Sequence, residues 1–290
     1  MQRRVILVLL VCLALVISLL LYIKFSKESD HHFGITFFDV GQGDSALIHF
    51  NNGQKMLVDC GIDKTILQRL GEALPFYDRT IDYLLVTHPD ADHYGGCPWV
   101  LKRYNVKNII TNGIKKPDDP YWPAWQKYIG AENALNKIIQ RREEWQIGGA
   151  KFIFFSPDNT LPLDARKQDG NNGSIAFKLI EGTTNYLFMG DAEVPLEMAL
   201  LQKYCPEFAT TTVVTSIETC IFQSDTIKIG HHGSDTSSAD NFLQAVRPKK
   251  AVVSVGPNKF GHPSFRTLKK LQRLGAEALR TDELGNIILP

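Results

Sequence analysis

Apolar positions are distributed along this chain in two distinct ways. Residues 5–23 (VILVLLVCLALVISLLLYI) form a run of nineteen without a charge. At 1.5 Å per residue, a helix of about 20 residues matches a hydrocarbon core of roughly 30 Å, so the run is long enough to span a membrane. Beyond it the pattern breaks into short segments. ITFFDV, SALIHF and KMLVDC, separated by GQGD and NNGQ, read as hairpin-connected strands. KTILQRLGEAL has helical spacing, DYLLVTH reads as a strand, 97–104 as a helix and NVKNIIT as a strand. Residues 113–147 look inserted: PYWPAW is rich in proline and aromatics, and AENALNKIIQRREEW has helical spacing. Strands resume at AKFIFFSP, SIAFKLI, NYLFMG, TIKIG and KAVVSVG, with helices at 194–203, 240–246 and 264–274. Two successive halves each place strands first and helices later. That order predicts an α/β (α+β) protein with two sheets packed face to face and helices outside.

The first run competes with a secretory signal, because Arg3 and Arg4 precede it. A signal's apolar part is only about 7 to 15 residues and ends at a small-x-small cleavage site, whereas this run leaves as YIKFSKE. The expected organisation is an uncleaved anchor over 1–27, a linker over 28–34 and a body over 35–290. Arg3, Arg4 and the amino terminus outweigh Lys24 and Lys27, which directs the body to the outer side of the cell membrane as a single-pass protein. Setting residues 1–29 aside removes four of 32 basic and one of 31 acidic residues, leaving 28 against 30, or about −2. Proteins that bind nucleic acid by neutralising many phosphates are usually basic, so any such contact here has to be local. The four cysteines outside the run have no CxxC spacing, which excludes a zinc-knuckle reading. Cys205 and Cys220 either bridge a loop or remain free thiols.

The stretch THPDADHYGGC crowds His88, Asp90, Asp92 and His93 onto one turn after a strand. In a turn, side chains can converge on a point instead of alternating across a sheet. Imidazole nitrogen and carboxylate oxygen both suit zinc. Further candidates end other strands: Asp59 in KMLVD, Asp191 in NYLFMGD, and His231 and His232 in TIKIGHH. A single strand-end aspartate is ordinarily a cap or turn former. Recurrence at four strand ends points instead to one shared site.

These motifs resemble the metallo-β-lactamase fold: THPDADH is similar to its HxHxDH signature, and LVDCG, GDAE and IGHHGS are similar to its other metal motifs. FDVGQGDSALI, NNGSIAFKL, VSVGPNKFGHPS and TDELGNIIL narrow the resemblance to the hydrolase domain of ComEC-type DNA-uptake proteins and their stand-alone relatives, over about residues 35–290. The resemblance implies a four-layer αββα sandwich and two divalent metal ions, Zn²⁺ with Mn²⁺ as the alternative. It assigns His88, Asp90 and one of His231 and His232 to one metal, Asp92 and His93 to the other, and Asp191 as the bridge. A hydroxide held between the metals is then the nucleophile. Asp59 is expected to orient a ligand histidine, with Asn172 and Ser174 nearby. In place of the fold's third-motif histidine, DGNNGSIAF offers only Asn171, Asn172 and Ser174, which leaves single-metal occupancy open. His262 of GHPS is expected at the rim, steadying the phosphate or protonating the leaving oxygen. Gln42 and Asp44 of the GQGD turn are expected to face substrate. Trp122 and Trp125 either close over it as a lid or pack the insertion onto the body.

The implied reaction is phosphodiester hydrolysis, on DNA or on a phosphodiester polymer or head group of the envelope. The competing reading is a non-catalytic, membrane-bound partner of an uptake channel. The single apolar span sets the chain apart from the channel itself.

Overall fold

The computed structural model describes residues 2–28, 32–162, 170–209 and 220–290. The first element, α1, runs Gln2–Glu28. Its described side chains lie between Arg4 and Leu19, and those of Ile6, Leu7, Leu9 and Leu15 are exposed. Among the described residues no helix is long and apolar enough to cross a membrane. The anchor therefore remains an expectation.

The body begins with the antiparallel strands β1 (Gly34–Phe37), β2 (Ala46–His49) and β3 (Lys55–Val58). Helix α2 (Thr65–Ala73) carries the chain to β4 (Thr80–Leu85), and α3 (Ala91–Tyr94) with α4 (Cys97–Arg103) carries it to β5 (Asn105–Thr111). Helix α5 (Trp122–Ala131) precedes β6 (Leu135–Ile138). From β3 to β6 the pairing is parallel, as strands joined by crossover helices require. The second half holds β7 (Glu143–Ile147), β8 (Ala150–Ser156), β9 (Ala176–Glu181), β10 (Thr184–Phe188), α6 (Val194–Tyr204), α7 (Pro206–Ala209), β11 (Thr226–Lys228), α8 (Asp240–Val246), β12 (Lys250–Val253), α9 (Phe265–Leu274), β13 (Glu277–Arg280), α10 (Thr281–Leu284) and β14 (Ile287–Leu289). The sheet orders are β14-β1-β2-β3-β4-β5-β6 and β13-β12-β11-β10-β9-β8-β7.

Phe37, Phe50, Phe152, Phe154, Phe177 and Phe188 fill the space between the sheets, with Phe177 and Phe188 stacked at 4.6 Å. Outside the first sheet, Ile66, Leu70, Val100 and Trp125 pack helices α2, α4 and α5 onto it. Outside the second, Leu196, Leu200, Phe242 and Leu271 do the same for α6, α8 and α9. The result is the four-layer αββα sandwich.

One local expectation is overturned. Residues 134–145 are not helical; β6 and β7 lie there and close one edge of each sheet. Leu135 and Ile138 carry helical spacing but are exposed, and the backbone spends its hydrogen bonds on the open edge of β5 instead. The helix of segment 113–147 is α5, nearer its start.

Candidate metal centre

The parallel pairings β3 with β4, and β10 with β11 and β12, bring the carboxyl ends of those strands to one edge of the sandwich. Three residues there are non-glycine with positive φ: Asp59 (57°), His231 (47°) and His232 (51°). Such a conformation costs roughly 1–2 kcal/mol per residue and persists where surrounding structure over-determines it, commonly at a site. The GQGD loop lies against this edge because position 43 is glycine. A Cβ on Gly43 would stand 2.3 Å from the Asp92 carbonyl oxygen. The close approach lets the Asp44 N–H donate to that carbonyl at 3.2 Å.

Six donors converge. His93 Nδ1 lies 2.9 Å from Asp59 Oδ2, and Asp59 also accepts from the Thr87 N–H at 2.8 Å and the Thr87 hydroxyl at 2.7 Å. The His93 proton therefore sits on Nδ1, and the Nε2 lone pair points at Asp191 Oδ1, 3.1 Å away. His232 repeats the arrangement. Its Nδ1 faces the Ser254 carbonyl at 2.9 Å and Asp44 Oδ1 at 3.2 Å, and its Nε2 faces Asp92 Oδ2 at 3.2 Å and Asp191 Oδ2 at 3.5 Å. His88 Nε2 stands 3.9 Å from both Asp191 Oδ2 and Asp90 Oδ2. His88 Nε2, His93 Nε2, His232 Nε2 and Asp191 Oδ1 are all buried without a hydrogen-bond partner. Lone pairs facing carboxylates at such distances repel unless a positive charge lies between them, and a buried acceptor left unmatched is costly. Either protons or a cation must supply that charge. Burial would lower the imidazole pKa values, yet Asp191 with Asp59 holds His93, and Asp191 with Asp44 holds His232, well above the ordinary 6.5. Asp191, although buried, and the partly buried Asp92 are held well below the ordinary carboxylate range by His232 and His93. Imidazole and carboxylate are also a donor set that zinc or manganese accepts. The residues present fit a divalent cation.

Most candidates named from the sequence meet here, with several corrections. His232, 1% exposed, reaches Asp92 and Asp191; it does not join His88 and Asp90 as the motif order implied. His231 turns outward, half-buried, and its Nδ1 meets Glu193 Oε1 at 3.1 Å. Two successive left-handed residues send their side chains to different sides, which is why only one of the pair enters the centre. Asp44 does not face substrate. It is buried beneath the centre between Lys228 Nζ at 2.5 Å and His232, fixing the orientation of that histidine. Trp125 is buried in the core beneath α5, and Trp122 packs beside it, both rings edge-on to Tyr94 at about 6 Å; neither is a lid. Gln42 does face an open groove, and its Oε1 has no partner. The Ser174 hydroxyl sits 3.3 Å from His88 Nδ1 and accepts from the Asp191 N–H at 3.0 Å. Asn172 accepts from the Glu193 N–H at 3.0 Å. The His262 ring lies 5.2 Å from His231 and 6.4 Å from His232, its loop stapled by Asn258. Burial and the two neighbouring imidazoles lower its pKa.

Four features went unread in the sequence. Lys228 is one, although a lysine inside the apolar strand TIKIG was a visible signal. Glu193, which accepts from the Thr236 hydroxyl at 2.8 Å and braces His231, and Lys116, paired with Asp90, lacked any such signal. The fourth is the disulfide Cys60–Cys97, which ties the Asp59 turn to the start of α4. Cys205 and Cys220 are also joined.

The family model described as metallo-beta-lactamase superfamily matches residues 38–256. ComE operon protein 3 of Bacillus subtilis is 28% identical over 96% of this chain and 35% of its own length. Competence protein ComA of Neisseria gonorrhoeae is 28% identical over 91% of this chain and 33% of its own. This chain thus spans about a third of the curated relatives it matches. Among solved structures, the metallo-beta-lactamase fold protein YhfI of Bacillus subtilis superposes over 89% of this chain and 99% of its own, with a TM-score of 0.55 at 12% identity. That likeness speaks for the fold alone.

Proposed function

The chain belongs to the metallo-beta-lactamase superfamily, with the ComEC-type hydrolase domain as the similar branch, and we propose that it is a metal-dependent hydrolase of phosphodiesters. The observation that carries this reading is the set of buried, unpartnered lone pairs of His88, His93 and His232 aimed at Asp92 and Asp191. A divalent cation bound there supplies Lewis acidity and lowers the pKa of water toward neutrality. Asp92, His93, His232 and Asp191 would hold it, with His88 and Asp90 beside them. Asp59 and Asp44 keep the protons of His93 and His232 on Nδ1, so that both Nε2 lone pairs stay directed inward. His262, whose Nδ1 is buried and unpartnered, stands at the rim. There its ring N–H can donate a hydrogen bond to a phosphate oxygen.

A groove of about 830 Å³ opens beside Asp92, lined by Gln42, Ile62, Pro257, Lys259 and Phe260. Its apolar wall and the Lys259 ammonium suit the organic substituent of a diester. The resemblance to ComEC-type DNA-uptake proteins favours nucleic acid as substrate, whereas the near-neutral body favours an envelope polymer or head group held by local contacts. Anchoring by α1 is supported by the exposed apolar side chains of that helix, and Arg3 and Arg4 before it favour an outward-facing body. The two disulfides favour an oxidising compartment.

The full chain in detergent, supplied with Zn²⁺ or Mn²⁺, should cleave bis-p-nitrophenyl phosphate. Inactivity toward every phosphodiester tried, together with ester or lactam cleavage, would overturn the assignment.

A further inference from the structure

Segment 113–147 reaches the centre through Lys116. Its ammonium is paired with Asp90 Oδ1, and the other Asp90 oxygen is the one 3.9 Å from His88 Nε2. The loop bearing Lys116 is anchored on both sides. The Tyr94 hydroxyl donates to Asp119 Oδ1 at 2.6 Å, and the same carboxylate accepts from the Tyr121 N–H at 2.8 Å. Trp122 and Trp125 brace Tyr94 from beneath. On the other side, Asn112 accepts from the Ile114 N–H at 3.0 Å and donates to the Gly173 carbonyl at 2.9 Å. The aromatic segment is thus the mounting of a lysine, placed beside the turn where the fold's third-motif histidine is missing.

The donors divide unequally around this lysine. Asp92, His93 and His232 form one close group, and Asp191 meets it through His93 Nε2 and His232 Nε2. The opposite side has only His88 and Asp90 of its own, and would have to share Asp191 and His93 with the first set. Among the described residues Asp90 takes part in none of the close metal-capable groups, and its carboxylate is paired with the ammonium. A cation recruited there would have to displace Lys116 from Asp90.

We propose that Lys116 stands in for the second metal: one divalent cation is held by Asp92, His93, His232 and Asp191, and the Lys116 ammonium neutralises Asp90 where the other cation would sit. This rests on the metal-centre reading above, and its test separates the two. The full chain in detergent is stripped with a chelator, titrated calorimetrically with Mn²⁺ and with Zn²⁺, and assayed for metal after gel filtration. Wild type should retain about one equivalent per chain, Lys116→Ala about two and Lys116→Arg about one. Lys116 is partly exposed, so the alanine variant should fold, and its near-ultraviolet circular dichroism checks this. Two equivalents on wild type, or one on both wild type and Lys116→Ala, would overturn the substitution and leave the metal centre standing. No bound metal on wild type would overturn both.

Discussion

Asp59 makes the sharpest test of how the centre is held. The Asp59→Asn variant keeps the shape of a side chain that is 1% exposed but changes its hydrogen-bonding capacity. The carboxylate accepts from the Thr87 N–H, the Thr87 hydroxyl and His93 Nδ1. An amide offers one acceptor oxygen and brings a donor NH₂ into a pocket where every neighbour donates. At least one charge-assisted bond is lost, worth about 1.5–3 kcal/mol, and His93 is released to shift its proton to Nε2, which blocks its lone pair. At 1.4 kcal/mol per decade, that is a loss of roughly ten- to a hundredfold in metal affinity, in line with the usual effect of removing such an orienting partner. Competition against a chromophoric zinc chelator measures the affinity, and thermal denaturation of the stripped proteins confirms that the variant is folded. A folded Asp59→Asn protein binding zinc within about twofold of wild type would refute the claim that Asp59 sets the His93 tautomer.

His262→Ala should lower turnover about 10²–10³-fold while the metal content found by elemental analysis stays unchanged; a metal-depleted product would make His262 a ligand instead. Burial pushes Glu197 up to about 7 from the ordinary 4.5, against the Ser238 and Ala239 N–H groups it accepts. With the folded value raised, its contribution is fully present below pH 4.5 and fades as pH rises through 7, a span of about 3 kcal/mol. Melting curves of wild type and Glu197→Gln should therefore differ by an amount that changes across this window, and a constant difference would contradict the argument. The Cys60–Cys97 bridge closes 37 residues, so Cys60→Ser/Cys97→Ser should lose about 4 kcal/mol by chain entropy. The melting temperature should fall on the order of 10 °C, and zinc affinity should fall with it, because Cys60 N–H donates to the His93 carbonyl at 2.7 Å; an unchanged affinity would mean that the bridge does not position His93.

The chemistry of this site is legible because it is written locally. THPDADH and GHH place donors within a few residues of a strand end, where a turn can aim them together, and both sheets follow from apolar runs bounded by glycine turns. What stays hidden depends on direction or on distance along the chain. His231 and His232 are adjacent, and only their left-handed backbone, at φ 47° and 51°, decides which one is buried. Asp44 reads as an exposed turn residue until Lys228, on a strand of the other sheet, is placed against it. Lys116 lies 26 residues from Asp90, in a segment whose prolines and aromatics draw attention to themselves instead. The apolar spacing of Leu135, Ile138 and Ile139 serves a helix as well as a strand, and the open edge of β5 decides between them. The same reasoning accounts for the misassigned ligand. Motif order along the chain is not order around a cation: His232, last of the metal motifs, follows β11, and β11 pairs beside β10, the strand that ends near Asp191. That neighbour relation brings His232 across to Asp92, and it leaves the His88 side short of an imidazole, where Lys116 now lies.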